Sequence, residues 1–289
     1  MTELALIGFG EVGQAYATGL TGLGRSVAAC DISPTEAARA KASELGIPLH
    51  DEAGEWLADI PLVIGCVQGF CCLKAARDAL PFMSAGACYL DFASADPDHK
   101  RQAAAEARAL GVGYVDVALV GAPSIHGIRS PVILAGDRAD FAEGVFTQIG
   151  APARIVPGEA GAAIALKLLR SGFIKGLEAL AVDTFSADQQ QGLRDVLFEI
   201  LRDIDESPFS KFVELLVRTH PLHARRRMHE LEEAERQLHK AGLSSPSLAG
   251  VKNVYRQSLA AIDAGEGLTS SSSAGESLDW VLRIRSKQK

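Results

Sequence analysis

Leu4-Ala-Leu-Ile-Gly8-Phe-Gly10-Glu-Val-Gly13 is the stretch whose reading decides the fold. An apolar strand runs straight into three glycines at the spacing GxGxxG. The first glycine suits a tight turn, the second lets a pyrophosphate approach the backbone, and the third lets a helix pack on the strand. The helix that follows, marked by Val12, Ala15, Leu20 and Leu23, turns its unpaired N–H groups and partial positive charge toward that turn. A second strand, Ser26 to Cys30, ends in Asp31, 23 positions after Gly8. An acid there accepts hydrogen bonds from a ribose 2′-hydroxyl. Strand, glycine turn, helix, strand and acid together predict a dinucleotide site made by Gly8, Phe9, Gly10, Glu11, Val12, Gly13 and Asp31. Asp31 favours NAD, because a carboxylate repels a 2′-phosphate; Arg25 is the residue able to offset that repulsion, which keeps NADP open.

Outward from this stretch the pattern repeats. Ser33-Pro34 opens a helix to about Leu45, and Ile47 to His50 is a short strand. The continuous apolar run Leu62 to Val67 is the mark of a parallel strand buried on both faces. A helix from Phe70 to Met83, a strand from Ala87 to Phe92, a helix from Pro97 to Leu110 and strands at Gly113–Leu119 and Val132–Ala135 follow. Strands alternating with helices of this length predict an α/β fold with an open, doubly wound, mostly parallel sheet, the Rossmann arrangement, over residues 1–157. From Gly158 onward only helical periodicity remains, which predicts an all-α domain over residues 158–289. Its expected helices are Gly161–Thr184 (with Gly172 and Gly176 allowing close packing), Leu193–Ile204, Phe209–Thr219, His223–Ala241, Leu248–Ala264 and Leu278–Ile284, with Thr269–Ser273 as a mobile loop or hinge.

Composition narrows the function. A formal net charge of −7 on 289 residues speaks against a general nucleic-acid binder, which needs a basic face. No signal segment and no apolar run of membrane-spanning length is expected, so the chain is read as cytoplasmic. Five cysteines, all in the first third of the chain, read as reduced thiols without metal-ligand spacing.

This organisation resembles the β-hydroxyacid dehydrogenase superfamily, which includes 3-hydroxyisobutyrate dehydrogenase and 6-phosphogluconate dehydrogenase. The glycine turn is one point of likeness. Asp91-Phe-Ala-Ser94-Ala-Asp-Pro97 is similar to the family's loop beside the nicotinamide, Asp116-Val-Ala-Leu-Val-Gly121 to its substrate loop, and Gly161-Ala-Ala-Ile-Ala-Leu-Lys167 to its lysine-bearing helix. The segment around His223–Glu233 resembles a less characterised 6-phosphogluconate dehydrogenase-like branch with a divergent helical C-terminal domain. The resemblance implies that Lys167 is the general acid/base, that Val67 and Ser94 flank the nicotinamide, and that the chain is a homodimer through its helical domain. A lysine among apolar neighbours near a cationic ring is expected to have a depressed pKa; the bland alternative is a lysine snorkelling at a helix edge.

The chain departs from the family at the substrate loop, where Val120 replaces a hydroxyl residue, and four residues after the lysine, where Ser171 stands for asparagine. Gly121, Ser124, His126 and Ser171 are the replacement candidates for substrate contact. Arg225, Arg226 and Arg227 are either anion-binding groups or surface charges paired along their helix. Lys175 and Glu178 are candidates for the pocket edge, and Asp91 and Asp116 read as strand ends. The expected activity is NAD- or NADP-dependent hydride transfer on a small hydroxy acid or sugar acid. The rivals are an imine reductase-like enzyme, against which retention of Lys167 counts, and an NAD(H)-binding sensor without turnover.

Overall fold

The computed structural model describes residues 2–121, 123–271 and 273–287, and separates into two compact units, Met1–Ser171 and Gly172–Lys289. The first contains an eight-stranded sheet in the order β3-β2-β1-β4-β5-β6-β7-β8. Its strands are β1 (Leu4–Ile7), β2 (Val27–Cys30), β3 (Leu49–His50), β4 (Leu62–Gly65), β5 (Cys88–Asp91), β6 (Gly113–Leu119), β7 (Val132–Ala135) and β8 (Ala153–Ile155). Every pairing is parallel except β6 with β7.

Alternation along each strand divides the core between the two faces of the sheet. Leu4 and Leu6 of β1 join one cluster, with Ala17 and Leu20 of helix α1 (Glu11–Gly22) and Phe146 of α6 (Ala139–Gln148). Ala5 and Ile7 join the other, with Ala76 and Ala79 of α3 (Cys72–Ala79) and Ala103 and Ala107 of α4 (Pro97–Ala109). Small residues on α3 and α4 let these helices lie close on the strands. The doubly wound expectation holds.

Several local expectations are corrected. Helix α2 (Glu36–Leu45) is capped by Thr35, whose Oγ1 accepts the Ala38 N–H at 3.1 Å, and not at Ser33-Pro34. The Ser33 N–H instead donates to Asp31. The loop after β6 contains α5 (Pro123–His126) and a short 3₁₀ turn, and α6 and β8 add a unit that the periodicity did not reveal. Antiparallel β7 extends the sheet after a compact connection, where a parallel neighbour needs a crossover.

Helix α7 (Ala162–Gln191) begins in the first unit and continues into the second. The first unit thereby reaches past residue 157 to include the opening turns of this helix. The second unit holds α8 (Arg194–Ile200), α9 (Phe209–Lys240), α10 (Pro246–Ala261) and α11 (Ala274–Ser286). Two expected helices, 209–219 and 223–241, are one: α9 runs through a buried Pro221. Proline removes one backbone donor from a helix, and burial of Pro221, Ala224 and Met228 accompanies the continuous helix. Trp280 of α11 is almost fully buried and donates its indole N–H to Glu266 O at 2.7 Å. The Ser273 hydroxyl caps α11 from the end of the expected hinge loop. Gly172 and Gly176 are exposed, and among the described residues none lies within 4 Å of where a Cβ would stand, so neither marks a close approach within the chain.

Candidate active site

Strand β1 lies between β2 and β4, so consecutive connections leave it in opposite directions along the sheet. Ligands in open α/β sheets bind beyond the carboxyl ends of the strands at such a switch point. A cavity of about 410 Å³ opens there, lined by Gly8, Phe9 and Gly10 from the glycine turn, Asp31 and Ser33 after β2, and Val67 after β4.

Each glycine of the turn has a different duty. Gly8 has φ +96°, and a Cβ on it would stand 2.8 Å from Cys66 O. A Cβ on Gly13 would stand 2.2 Å from Gly8 O, so α1 lies against the turn only without one. At Gly10 nothing lies within 4 Å of a built Cβ; that open space faces the cavity, as a group approaching the backbone requires. The Asp31 carboxylate accepts the Phe9 N–H at 2.8 Å and the Ser33 N–H at 2.9 Å, tying the glycine turn to the end of β2. The residues present therefore fit a dinucleotide.

Not every expected contact is made by a side chain. The Phe9 ring is buried in the core and offers only its backbone to the cavity, while Glu11, Val12 and Gly13 are not among the lining residues. Their part is the first turn of α1, whose N–H groups lack partners within the helix. Arg25 is held by Glu3 at 3.4 Å and by Gln148 at 3.2 Å, and does not line the cavity.

Further along the carboxyl ends of the strands, Lys167 Nζ lies 2.7 Å from Ser94 Oγ. Ser94 is carried by the loop after β5, Lys167 by the second turn of α7. The lysine is half-buried. Burial, first, and the nearby Lys100 ammonium, second, hold its pKa below the ordinary lysine value; the Asp116 carboxylate opposes them. An amine so biased gives up its proton more readily than a solvated one.

The remaining candidates divide. Ser171 lies one helical turn beyond Lys167 and is half-buried. Gly121 (φ +101°) and His126 are exposed, and among the described residues neither makes a hydrogen bond to Ser94 or Lys167. The Ser124 side chain lies outside the described residues. Arg225 pairs with Asp263, Arg226 with Glu230, and Arg227 donates to Thr219 Oγ1 at 2.8 Å. All three contacts lie within the helical unit; Arg226–Glu230 is a charge pair along the helix, whereas Arg225 reaches an acid beyond α10 and Arg227 a hydroxyl. Lys175 and Glu178 are exposed on α7 within the second unit.

Sequence reasoning missed the charges beneath the site. Asp91 and Asp116 do more than end strands: with Lys100 they form a fully buried cluster. The signal was available in three charged residues placed within otherwise apolar strands and the alanine-rich face of α4. Among the described residues no group of three or more His, Cys, Asp or Glu side chains has a metal-holding arrangement, and no helix is long and apolar enough to cross a membrane. All five cysteines are free thiols.

Comparison with known proteins agrees with this fold. Residues 189–258 match a domain of unknown function, DUF1932. A conserved hypothetical protein from Sinorhizobium meliloti 1021 is 28% identical, with a TM-score of 0.60, over 98% of this chain and 97% of that one. The conserved protein MTH1747, whose structure is described as similar to 3-hydroxyacid dehydrogenases, is 26% identical with a TM-score of 0.62, over 91% of this chain and 99% of that one. A reductive aminase from Aspergillus terreus, solved with NADPH4, cyclohexanone and allyl amine, shares the fold at 20% identity and a TM-score of 0.76, over 96% of this chain and 99% of that one. Residues 3–158, more than half of the chain, match the NAD-binding domain of 6-phosphogluconate dehydrogenase, and the chain belongs to that family.

Proposed function

We propose that the chain is an NAD(P)-dependent oxidoreductase of the β-hydroxyacid dehydrogenase type that acts on the hydroxyl of a small hydroxy acid or sugar acid, with Lys167 as general acid/base. The observation that carries this reading is the half-buried Lys167 amine, biased toward its neutral form and 2.7 Å from the Ser94 hydroxyl. A bound nicotinamide supplies or accepts the hydride. The glycine turn holds the pyrophosphate on the amides of α1, Asp31 takes the ribose hydroxyls, and Val67 lines the way toward Ser94. Ser94 orients the substrate oxygen, and the neutral Lys167 amine takes the hydroxyl proton as the alcohol is oxidised, or returns it in the reverse direction. Ser171, Gly121, Ser124 and His126 are assigned to the substrate side. Asp31, with Arg25 turned away to Glu3 and Gln148, supports NAD over NADP.

Reduction of an imine is the second reading, supported by the fold shared with the reductive aminase. One experiment separates the readings: absorbance of the reduced nicotinamide is followed with NAD and with NADP, against a panel of hydroxy acids, aldonates and imines, for wild type and Lys167→Met. Turnover of a hydroxy acid that is lost in the variant, with cofactor affinity retained, is the expected result. Turnover of imines alone would replace the first reading by the second. Cofactor binding without turnover on the whole panel would leave a sensor.

The partner of the helical unit is assigned to a second copy of the chain. Val182, Val196, Phe198 and Ile200 are exposed apolar residues of this unit, and such surfaces mark interaction sites. Light scattering is expected to give a dimer, and Val182→Glu with Ile200→Glu to shift it toward monomer.

A further inference from the structure

Beneath the Ser94–Lys167 pair lies a set of buried charges to which the proton transfer assigns no role. Lys100 Nζ donates to Asp116 Oδ1 at 2.7 Å and to the Asp91 carbonyl oxygen at 2.8 Å, and lies 3.8 Å from Asp91 Oδ1. All three side chains are almost wholly excluded from solvent. The second oxygen of Asp116 accepts the Gly161 N–H at 3.0 Å and the Ile164 N–H at 2.9 Å, at the start of α7. Gly161 reaches this position with φ +100°, and a Cβ there would stand 2.7 Å from Pro97 O. Asp91 accepts the Ala93 N–H at 2.8 Å and also receives Cys72 Sγ and the Tyr114 hydroxyl. One ammonium therefore joins the two backbone segments that carry the site: the loop of Ser94, through Asp91, and the head of α7, through Asp116.

Buried ion pairs are a poor source of stability, since desolvation offsets most of their attraction. A fixed charge under a proton-transfer group has a second effect. Like charge at short range disfavours the protonated amine. Within the unit, the groups that face Lys167 are Ser94 from the loop after β5, Lys100 from α4 and Asp116 from β6. Asp116 acts on that amine in the opposite sense, and of the two charges Lys100 is the larger influence.

We propose that Lys100 is a positioning residue for Lys167: its one buried ammonium anchors both the Ser94 loop and the first turn of α7, and so sets where the Lys167 amine stands. The consequence for turnover rests on the reading of Lys167 given above, but the charge effect is measurable without a substrate.

The test is competitive labelling of the full chain with trace acetic anhydride over a pH series from neutral to strongly alkaline. The peptide containing Lys167 is read by mass spectrometry, so that labelling against pH gives the midpoint of that amine. Lys100→Met is expected to raise the midpoint by about one pH unit, and Lys100→Arg, which keeps the charge, to restore it toward wild type. Lys100→Met leaves two buried carboxylates without their cation. The double variant Lys100→Met/Asp116→Asn removes the pair together and serves if the single variant does not fold. Its midpoint is expected above wild type but below that of Lys100→Met. A folded variant of either kind with an unchanged Lys167 midpoint overturns the proposal, and leaves the assignment of Lys167 standing. Turnover retained in Lys167→Met would remove that assignment instead, without touching the labelling result.

Discussion

With Lys167 as the proposed general acid/base, its proton gives a pH dependence whose sign follows from the direction of reaction. Burial and the Lys100 charge place its titration below the ordinary lysine value of 10.5. Alcohol oxidation needs the neutral amine, so its rate is expected to rise with pH to a plateau with a midpoint below 10.5. The reverse reduction needs the ammonium and is expected to fall through the same midpoint. A pH–rate profile in both directions checks this, and Lys167→Met is expected to lower turnover by about 10²- to 10⁴-fold. The glycines give a second contrast. Gly10→Val adds a side chain into open space, so thermal unfolding is expected to stay near wild type while cofactor affinity, read by fluorescence titration, collapses. Gly13→Val collides with Gly8 O and is expected to lose the folded state itself. Of the candidate site residues that the structure brings to the carboxyl ends of the strands, the glycine turn, Asp31, Ser94 and Lys167 were nameable from sequence because each is tied to a spacing or a motif. Lys100 was not, because a single charged residue on a helix face reads as solvated unless its partners, far away in sequence, are known.

Elements whose pattern is local were read well, and those decided by distant contacts were not. Most of the parallel strands announced themselves as apolar runs, since burial on both faces leaves few polar positions, Asp91 and Asp116 being the exceptions. The cap of α2 was misplaced by two residues because Ser33, Pro34 and Thr35 are all plausible helix openers; only the Thr35 hydroxyl receives an amide. Thr35→Ala is therefore expected to cost about 1 kcal/mol in denaturant unfolding, and Ser33→Ala, whose side chain caps nothing in α2, close to none. In α9, the chain on either side of Pro221 has ordinary helical periodicity, so the sequence argues for two helices, and burial of Pro221 with Ala224 and Met228 makes one. The unit of α6 and β8 was missed for a different reason: β8 has only three residues and none of them is fully buried.

At the scale of the whole molecule, one half-buried imidazole ties stability to pH. His220 of α9 lies 2.8 Å from Ser258 Oγ of α10, and burial, with Arg227 and Arg285 adding to it, lowers its pKa below 6.5. The unfolded chain then binds this proton more readily than the folded one. The stabilising contribution is complete above pH 6.5 and is lost as pH falls through that value and on toward the lower folded one. Denaturant unfolding midpoints at a series of pH values are expected to show this acid-side fall, and His220→Gln to flatten it. The order of strands in the sheet carries a further consequence, for how the first unit is assembled. β2 pairs with β1, β3 with β2, β4 with β1, and each of β5 to β8 with the strand numbered one before it. Every strand after β1 finds a partner that precedes it in the chain, whereas β1 keeps one edge open until β4 has been made. A ribosome releasing this domain therefore lets each new strand add to an edge that already exists, first outward from β1 to β3 and then from the other side of β1 to β8, and β1, the inner strand from which both directions start, acts as the template. Loss of β1 would divide the sheet into the pair β2–β3 and the series β4–β8, with no shared edge along which to rejoin.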